Sequence, residues 1–175
     1  MTPAEREFRK DLVALLPRLR RFAVALSGSA DAADDLLQTA IEKAIRSAGA
    51  YDKTRRLDSW LFKIMQNAWL DLRKDMAKRR HVELIDAHAP FEDLRVGIEA
   101  RDELRRTAKV FHGLPEEQRA VLTLVVLEGF SYRDAAETLD VPIGTIMSRL
   151  ARGRAAIAAI VRVDDPLSEI RETPQ

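Results

Sequence analysis

From Phe8 onward the apolar residues return at steps of three and four: Phe8, Leu12, Leu15, Leu19, Phe22 and Leu26. That spacing lines one side of an α-helix, and the same period recurs along most of the chain. A second stripe is Leu36/Leu37, Ala40/Ile41 and Ala44/Ile45, and a third is Trp60, Leu61, Ile64, Ala68 and Leu72. The sequence is rich in Ala, Leu, Arg and Glu, which favour helices, and its 7 glycines and 7 prolines act mainly as punctuation between stripes. The expected class is all-α.

The breaks divide the stripes. Pro17 interrupts the first stripe and predicts a kink or a break there, with Pro17 in the first turn of a second piece. Ser27-Gly28-Ser29 ends this helix, Asp31 is expected to cap the next, and Gly49 to close it. After the loop Tyr51 to Leu57, Asp58 or Ser59 should cap a long helix reaching about Arg80. Residues from His81 to Gly97 have weak periodicity and read as a linker. Leu104, Ala108 and Phe111 then mark a helix ending near Gly113. Pro115 is placed as the first residue of the following helix, whose apolar face is Val121, Leu124, Val125 and Leu127. The division expected is two small helical domains, 1–80 and 98–163, joined by a flexible acidic linker over 81–97 and followed by a disordered tail over 164–175.

Hydrophobic residues make up 46% and charged residues 33%, which is far from a disordered composition. There is no cysteine, so disulfides, thiolate metal sites and cysteine nucleophiles are excluded. His81, His88 and His112 match no zinc spacing, and the paired carboxylates Asp34-Asp35 and Asp164-Asp165 have no phosphate loop or nucleophile beside them. No metal, no cofactor and no enzymatic activity are expected. Trp60 and Trp69 sit at helical positions that suit packing. The N-terminal residues lead into no signal core and no stretch is long enough to span a bilayer, so a cytoplasmic protein without membrane insertion, and a monomer, is expected.

Net charge is only +1, but its distribution is uneven. Arg73 to Arg80 holds five basic residues (Arg73, Lys74, Lys78, Arg79, Arg80) against Asp75 alone, and Ile143 to Arg162 holds four with no acid. Between Glu83 and Glu103 seven acids face only Arg95 and Arg101. Two basic segments around an acidic middle suggest separate surfaces for separate partners.

Residues Ser131 to Arg162 have the layout of a helix-turn-helix. Ser131 with Asp134 forms a capping box, and Ala135, Ala136 and Leu139 form a small buried face. Asp140-Val141-Pro142 makes the break, and a last helix from about Ile143 to Thr145 buries Ile146, Leu150 and Ile157. Its other side offers Ser148, Arg149 and Arg152. Arg149 could fork onto a guanine, Arg152 and Arg154 suit phosphates, and the Thr145 and Ser148 hydroxyls suit either. Solvated arginines on a helical hairpin are the plainer alternative, and the uniform charge argues for DNA.

At this point the residues resemble a known family. Leu114-Pro115-Glu116-Glu117-Gln118-Arg119, Glu128-Gly129-Phe130-Ser131-Tyr132 and the run Val141 to Arg154, with its Gly-Thr-x-x-Ser-Arg-Leu string, look like the fourth conserved region of extracytoplasmic-function sigma factors. Independently, Asp34-Asp35-Leu36-Leu37-Gln38 and Trp60 to Asn67 with Asp71 and Arg73 resemble that family's second region. The resemblance covers about residues 8 to 80 and 100 to 160.

It implies an alternative sigma factor that binds core RNA polymerase, recognises promoter DNA and holds the strands open, with a stress regulon and an anti-sigma factor as its controller. On this resemblance Asp34, Asp35, Leu37, Gln38 and Glu42 dock on core polymerase. Tyr51 stacks on a flipped base of the −10 element and Arg55 or Arg56 holds the phosphates on either side, with Lys63, Asn67, Arg73 and Lys74 beside them, and Thr145, Ser148, Arg149, Arg152 and Arg154 read the −35 duplex. The acidic linker would thread through the polymerase. Thr39, Ile41 and Met147 depart from the residues usual in the family. Two other readings stand beside this one: a sigma-like decoy that titrates an anti-sigma factor, and a dimeric helix-turn-helix regulator, which leaves the first domain unexplained.

Overall fold

The computed structural model describes residues 3–80 and 108–163. Among these residues there is no strand. The expected linker, Leu104 and the tail lie outside the described residues. The first unit contains α1 (Pro3–Ser27), α2 (Ala30–Arg46) with a 3-10 turn at Ala48–Ala50, and α3 (Leu57–Arg80). The second contains α4 (108–113), α5 (Glu116–Leu122) continued by a π-turn (Thr123–Leu127), α6 (Tyr132–Leu139) and α7 (Ile143–Val163). No described helix is long and apolar enough to cross a membrane.

Of the kink or break expected at Pro17, the break does not occur: α1 runs through it as one helix, so Pro17 opens no second piece. Pro17 is exposed, like Val13 four residues before it, so the missing hydrogen bond falls on the solvent side, where water can meet the carbonyl. The opposite side buries Leu12, Leu19, Phe22 and Leu26. Three helix starts lie elsewhere than expected. Gly28, at φ +72°, turns the chain so that the extended Ser29 is the N-cap of α2, its hydroxyl accepting from the Ala32 N–H at 3.4 Å. Asp31 instead sits in the first turn, where its charge meets the helix dipole. Pro115 is the N-cap of α5, one position before its expected place, with ψ 144°. The start of α3 is Leu57, so Asp58 lies inside the first turn and accepts from the Ser59 N–H at 2.8 Å.

The two units share one apolar core. Phe62 of α3, fully buried, lies between Phe22 of α1 (ring centroids 5.1 Å apart) and Phe130 of the second unit (5.2 Å, edge-on). α1 packs against α5 and the π-turn, and α3 against α6. This explains why α3 buries Phe62 and Met65 in addition to the expected Leu61, Ala68 and Trp69: it packs against its own unit and against the second. A fully buried side chain of this size is worth about 1.5–3 kcal/mol, so the contact holds the units together.

Candidate functional site

The helix-turn-helix forms as its capping box predicts. The Ser131 hydroxyl accepts from the Asp134 N–H at 3.1 Å and donates to the Asp134 carboxylate at 2.8 Å. Asp140 ends α6 in the left-handed region, φ 54°, and its N–H bonds to Ala136 O. α7 then begins at Ile143 and anchors itself through buried Ile146 and Leu150. Gly153 sits against α5, where a Cβ would come within 2.8 Å of Leu122 Cδ1. The close approach fixes the angle at which α7 presents its outer side.

That outer side carries the residues expected to read the −35 duplex. Ser148, Arg152 and Arg154 are exposed, and Thr145 and Arg149 are half-buried. Ser148 Oγ donates to Thr145 O at 3.1 Å and Arg152 Nε to Ser148 O at 3.3 Å, bonds to backbone that an incoming phosphate or base could replace. Exposed Ile143 and Met147 lie beside them.

α2 places Asp34, Asp35, Gln38 and Glu42 on one exposed strip, with Leu37 half-buried at its edge. Asp34 accepts two hydrogen bonds from Arg20, at 2.8 and 3.2 Å. Gln38 donates to Glu42 at 3.2 Å, and Glu42 also pairs with Arg46. All these partners are surface residues of the first unit, and no described residue of the second unit bonds to the strip.

The residues expected at the −10 strand are divided in a way the sequence did not indicate. Asn67 and Lys74 are exposed on the outer side of α3. Lys63 Nζ, however, donates to the Glu137 carbonyl at 2.8 Å, and Arg73 Nη1 lies 3.1 Å from Glu116 Oε1, so both reach the second unit. Trp69 Nε1 donates to the same Glu116 oxygen at 2.8 Å.

In the loop, Tyr51 is half-buried between Phe8 and Trp60, with centroids 6.3 and 5.1 Å away, and its hydroxyl donates to Arg55 O at 2.6 Å. Burial, with Asp52, Asp11 and Asp58 nearby, pushes the phenol above its ordinary pKa, so it stays protonated. Arg55 is exposed. Arg56 forks onto Asp58 at 3.1 and 2.7 Å and lies over the Phe130 ring. Burial works against the charge of Asp58. Hydrogen bonds from Arg56, the Ser59 N–H and Arg18 outweigh it and hold the carboxyl below the usual carboxylate range.

Arg18 extends this network across the units. Its Nη1 contacts Asp58 at 3.2 Å and its Nε donates to Glu128 at 2.6 Å, while Arg21 holds the other Glu128 oxygen at 2.9 Å. The Glu128 side chain is only 1% exposed. Sequence reading missed Arg18, Glu128 and Arg119. The one signal was that Glu128 ends an otherwise largely apolar stretch.

Family models match both units: Sigma-70, region 4 over residues 105–157, and the Sigma2 domain of PhyR over residues 12–66. The chain is 37% identical over 165 residues to the ECF RNA polymerase sigma factor EcfG of Rhodopseudomonas palustris, covering 93% of this chain and 89% of that protein. It is 35% identical over 144 residues to the ECF RNA polymerase sigma factor SigM of Mycobacterium tuberculosis, covering 82% and 71% respectively. Among solved structures it resembles the sigma factor RpoE of Bartonella quintana in complex with the anti-sigma factor NepR, with TM-score 0.76 and 30% identity over 90% of this chain and 98% of that one. CnrH, in complex with the cytosolic domain of CnrY, shares the fold at TM-score 0.63, with 24% identity over 91% of this chain and 90% of that one.

Proposed function

Because the chain belongs to the ECF sigma factors of RNA polymerase, we propose that it docks on core polymerase through the acidic strip of α2 and directs the complex to promoters. The first unit carries Asp34, Asp35, Leu37, Gln38 and Glu42 for the polymerase. Arg55, Arg56, Lys63, Asn67, Arg73 and Lys74 serve the unpaired −10 strand, and Tyr51 braces the loop that presents the two arginines. The second unit carries Thr145, Ser148, Arg149, Arg152 and Arg154 for the −35 duplex. None of these residues performs bond chemistry. Promoter opening draws on capture of an unstacked base and on phosphate contacts.

The observation that carries this reading is the outer side of α7, where a helix braced against α5 at Gly153 presents Ser148, Arg152 and Arg154 to solvent. The strip on α2 supplies a second surface of opposite charge, as a factor bridging protein and DNA requires. We further propose a cytoplasmic site of action, where polymerase works, and control by an anti-sigma factor, since the similar RpoE of Bartonella quintana forms a complex with the anti-sigma factor NepR.

The test is promoter-dependent RNA synthesis by purified core polymerase with and without this protein. Specific transcripts that need the protein are expected. Absence of core binding at low salt would overturn the reading, and core binding without transcripts would favour the decoy instead.

A further inference from the structure

We infer that an apolar row on α7, with Met147 at its centre, touches a thymine 5-methyl group in the major groove of the −35 duplex, so that the factor selects a T·A pair there by apolar contact as well as by hydrogen bonds. The inference deepens the function proposed above and rests on it.

The outer side of α7 is made of two parallel rows. Ile143, Met147, Ala151 and Ala155 recur at every fourth residue, and all four are exposed. Gly144, Ser148 and Arg152 form the neighbouring row, also exposed. Buried Ile146 and Leu150, with Gly153 close against Leu122, fasten the opposite side to the rest of the unit, so neither row can turn inward. The apolar row tapers. Its two large side chains, Ile143 at 51% exposure and Met147 at 54%, lie in the first turns, and alanines follow. In a helix-turn-helix the N-terminal part of the second helix is the part that meets base edges, so the large residues stand at the reading end.

One exposed apolar side chain is ordinary on any protein, and the setting is what gives this row a partner. Arg149, Arg152 and Arg154 share the helix with it, and no acid occurs from Ile143 to Arg162. A surface of that charge suits a polyanion. The polyanion offered is duplex DNA, whose major groove presents one apolar group, the methyl of thymine. Methionine fits such a contact because its unbranched, polarisable chain adjusts to the position of a small apolar target. Neither Met147 nor Ile143 packs against the core, so the fold itself has no use for an apolar residue at these positions.

The experiment uses the full-length protein on core polymerase and a promoter duplex that this holoenzyme selects from a library randomised over the −35 element. Each thymine of the selected element, on either strand, is replaced in turn by deoxyuridine, which removes the methyl and keeps every hydrogen-bonding group. One buried methyl corresponds to about a fourfold change in affinity, so at one position or more the wild type should bind the uracil duplex about fourfold more weakly. Met147→Ala should bind both duplexes alike at such a position. Arg152→Ala should bind more weakly overall and still prefer thymine. Met147→Lys should lose the preference while its affinity falls more steeply with salt, because the added cation reaches phosphate. Equal wild-type affinity for thymine and uracil at every position, or a preference that survives in Met147→Ala, would overturn the inference. A holoenzyme that selects no −35 sequence from the library would remove the function proposed above and the inference with it.

Discussion

Arg119 of α5 donates from Nε to the Ala25 carbonyl at 2.7 Å, reaching into the end of α1 from the other unit. The same guanidinium donates to Leu114 O at 2.6 Å, and to Leu26 O and His112 O at 3.4 and 3.3 Å. Carbonyls left over at two helix ends provide these partners. Burial lowers its pKa despite the nearby Glu116 and Glu117, though it remains a cation at any ordinary pH. Arg119→Ala should destabilise the protein by about 2–4 kcal/mol, because the fork satisfies several buried acceptors at once. Arg119→Lys should recover little, since one ammonium cannot span them. Urea unfolding measures this, and a loss under about 0.5 kcal/mol would mean that water replaces the fork without cost.

His112, beside this guanidinium, gives a pH dependence. Burial lowers its pKa below the ordinary 6.5, and the charge of Arg119 lowers it further. The unfolded chain therefore takes up the proton first as pH falls. The stability contributed by a neutral His112 is complete above about pH 6.5 and declines below it until the folded form also protonates. Stability followed from pH 7 to pH 5 should fall in the wild type and fall less in His112→Gln. Parallel curves would remove His112 as the cause.

Gly153 faces a tighter constraint. A Cβ added there would lie 2.8 Å from Leu122 Cδ1 and 3.3 Å from Leu122 Cγ, so a larger side chain must push α7 from α5. Gly153→Val should cost about 1–3 kcal/mol. Gly153→Ala should be nearly neutral, because a gain of about 1 kcal/mol in helix propensity offsets the smaller clash. Thermal unfolding of the two variants would separate these effects, and equal melting temperatures would count against the close packing.

What could be read beforehand was local. The Ser131–Asp134 cap, the buried Ile146 and Leu150, and the exposed Ser148 and Arg152 follow from turn chemistry and helical period, which adjacent residues determine. The contact between units was not legible, because it depends on which surfaces meet. Phe62 meets Phe130 of the second unit as well as Phe22 of its own, and Trp69 bonds to Glu116 there, partners that no local pattern names. Leu127 shows the same limit in reverse: the π-turn adds to the winding and brings it out to 58% exposure, although helical spacing had placed it inside. Lys63 and Arg73 are assigned to DNA by resemblance, and nothing in their neighbours along the chain indicates Glu137 or Glu116.

Arg149 separates DNA reading from polymerase binding. It is half-buried on the side of α7 that holds Ser148 and Arg152, far in sequence from the α2 strip. Arg149→Ala should weaken −35 recognition by about 1–3 kcal/mol and flatten the preference at one base pair, leaving affinity for core polymerase as it was. Binding to a set of −35 duplexes with single base changes measures it. An unaltered preference would remove Arg149 from base reading and leave it a phosphate contact at most.

The complementary variant reverses charge on α2. Asp34 and Asp35 project from the exposed side of a helix whose other side is fastened by buried Leu36, Ala40 and Ala44, so their replacement leaves the packing intact. Asp34 is held by Arg20, but both side chains are about half exposed and such a surface pair is worth roughly 0–1 kcal/mol, too little to matter for the fold. Its loss does free Arg20 to add one more positive charge to a strip that should meet a basic partner. Asp34→Lys with Asp35→Lys should therefore weaken association with core polymerase at least about tenfold at low salt, with the effect shrinking as salt rises. Thermal stability and −35 duplex binding should match the wild type. Core affinity that stays unchanged across salt concentrations would show that polymerase engages another face of the first unit.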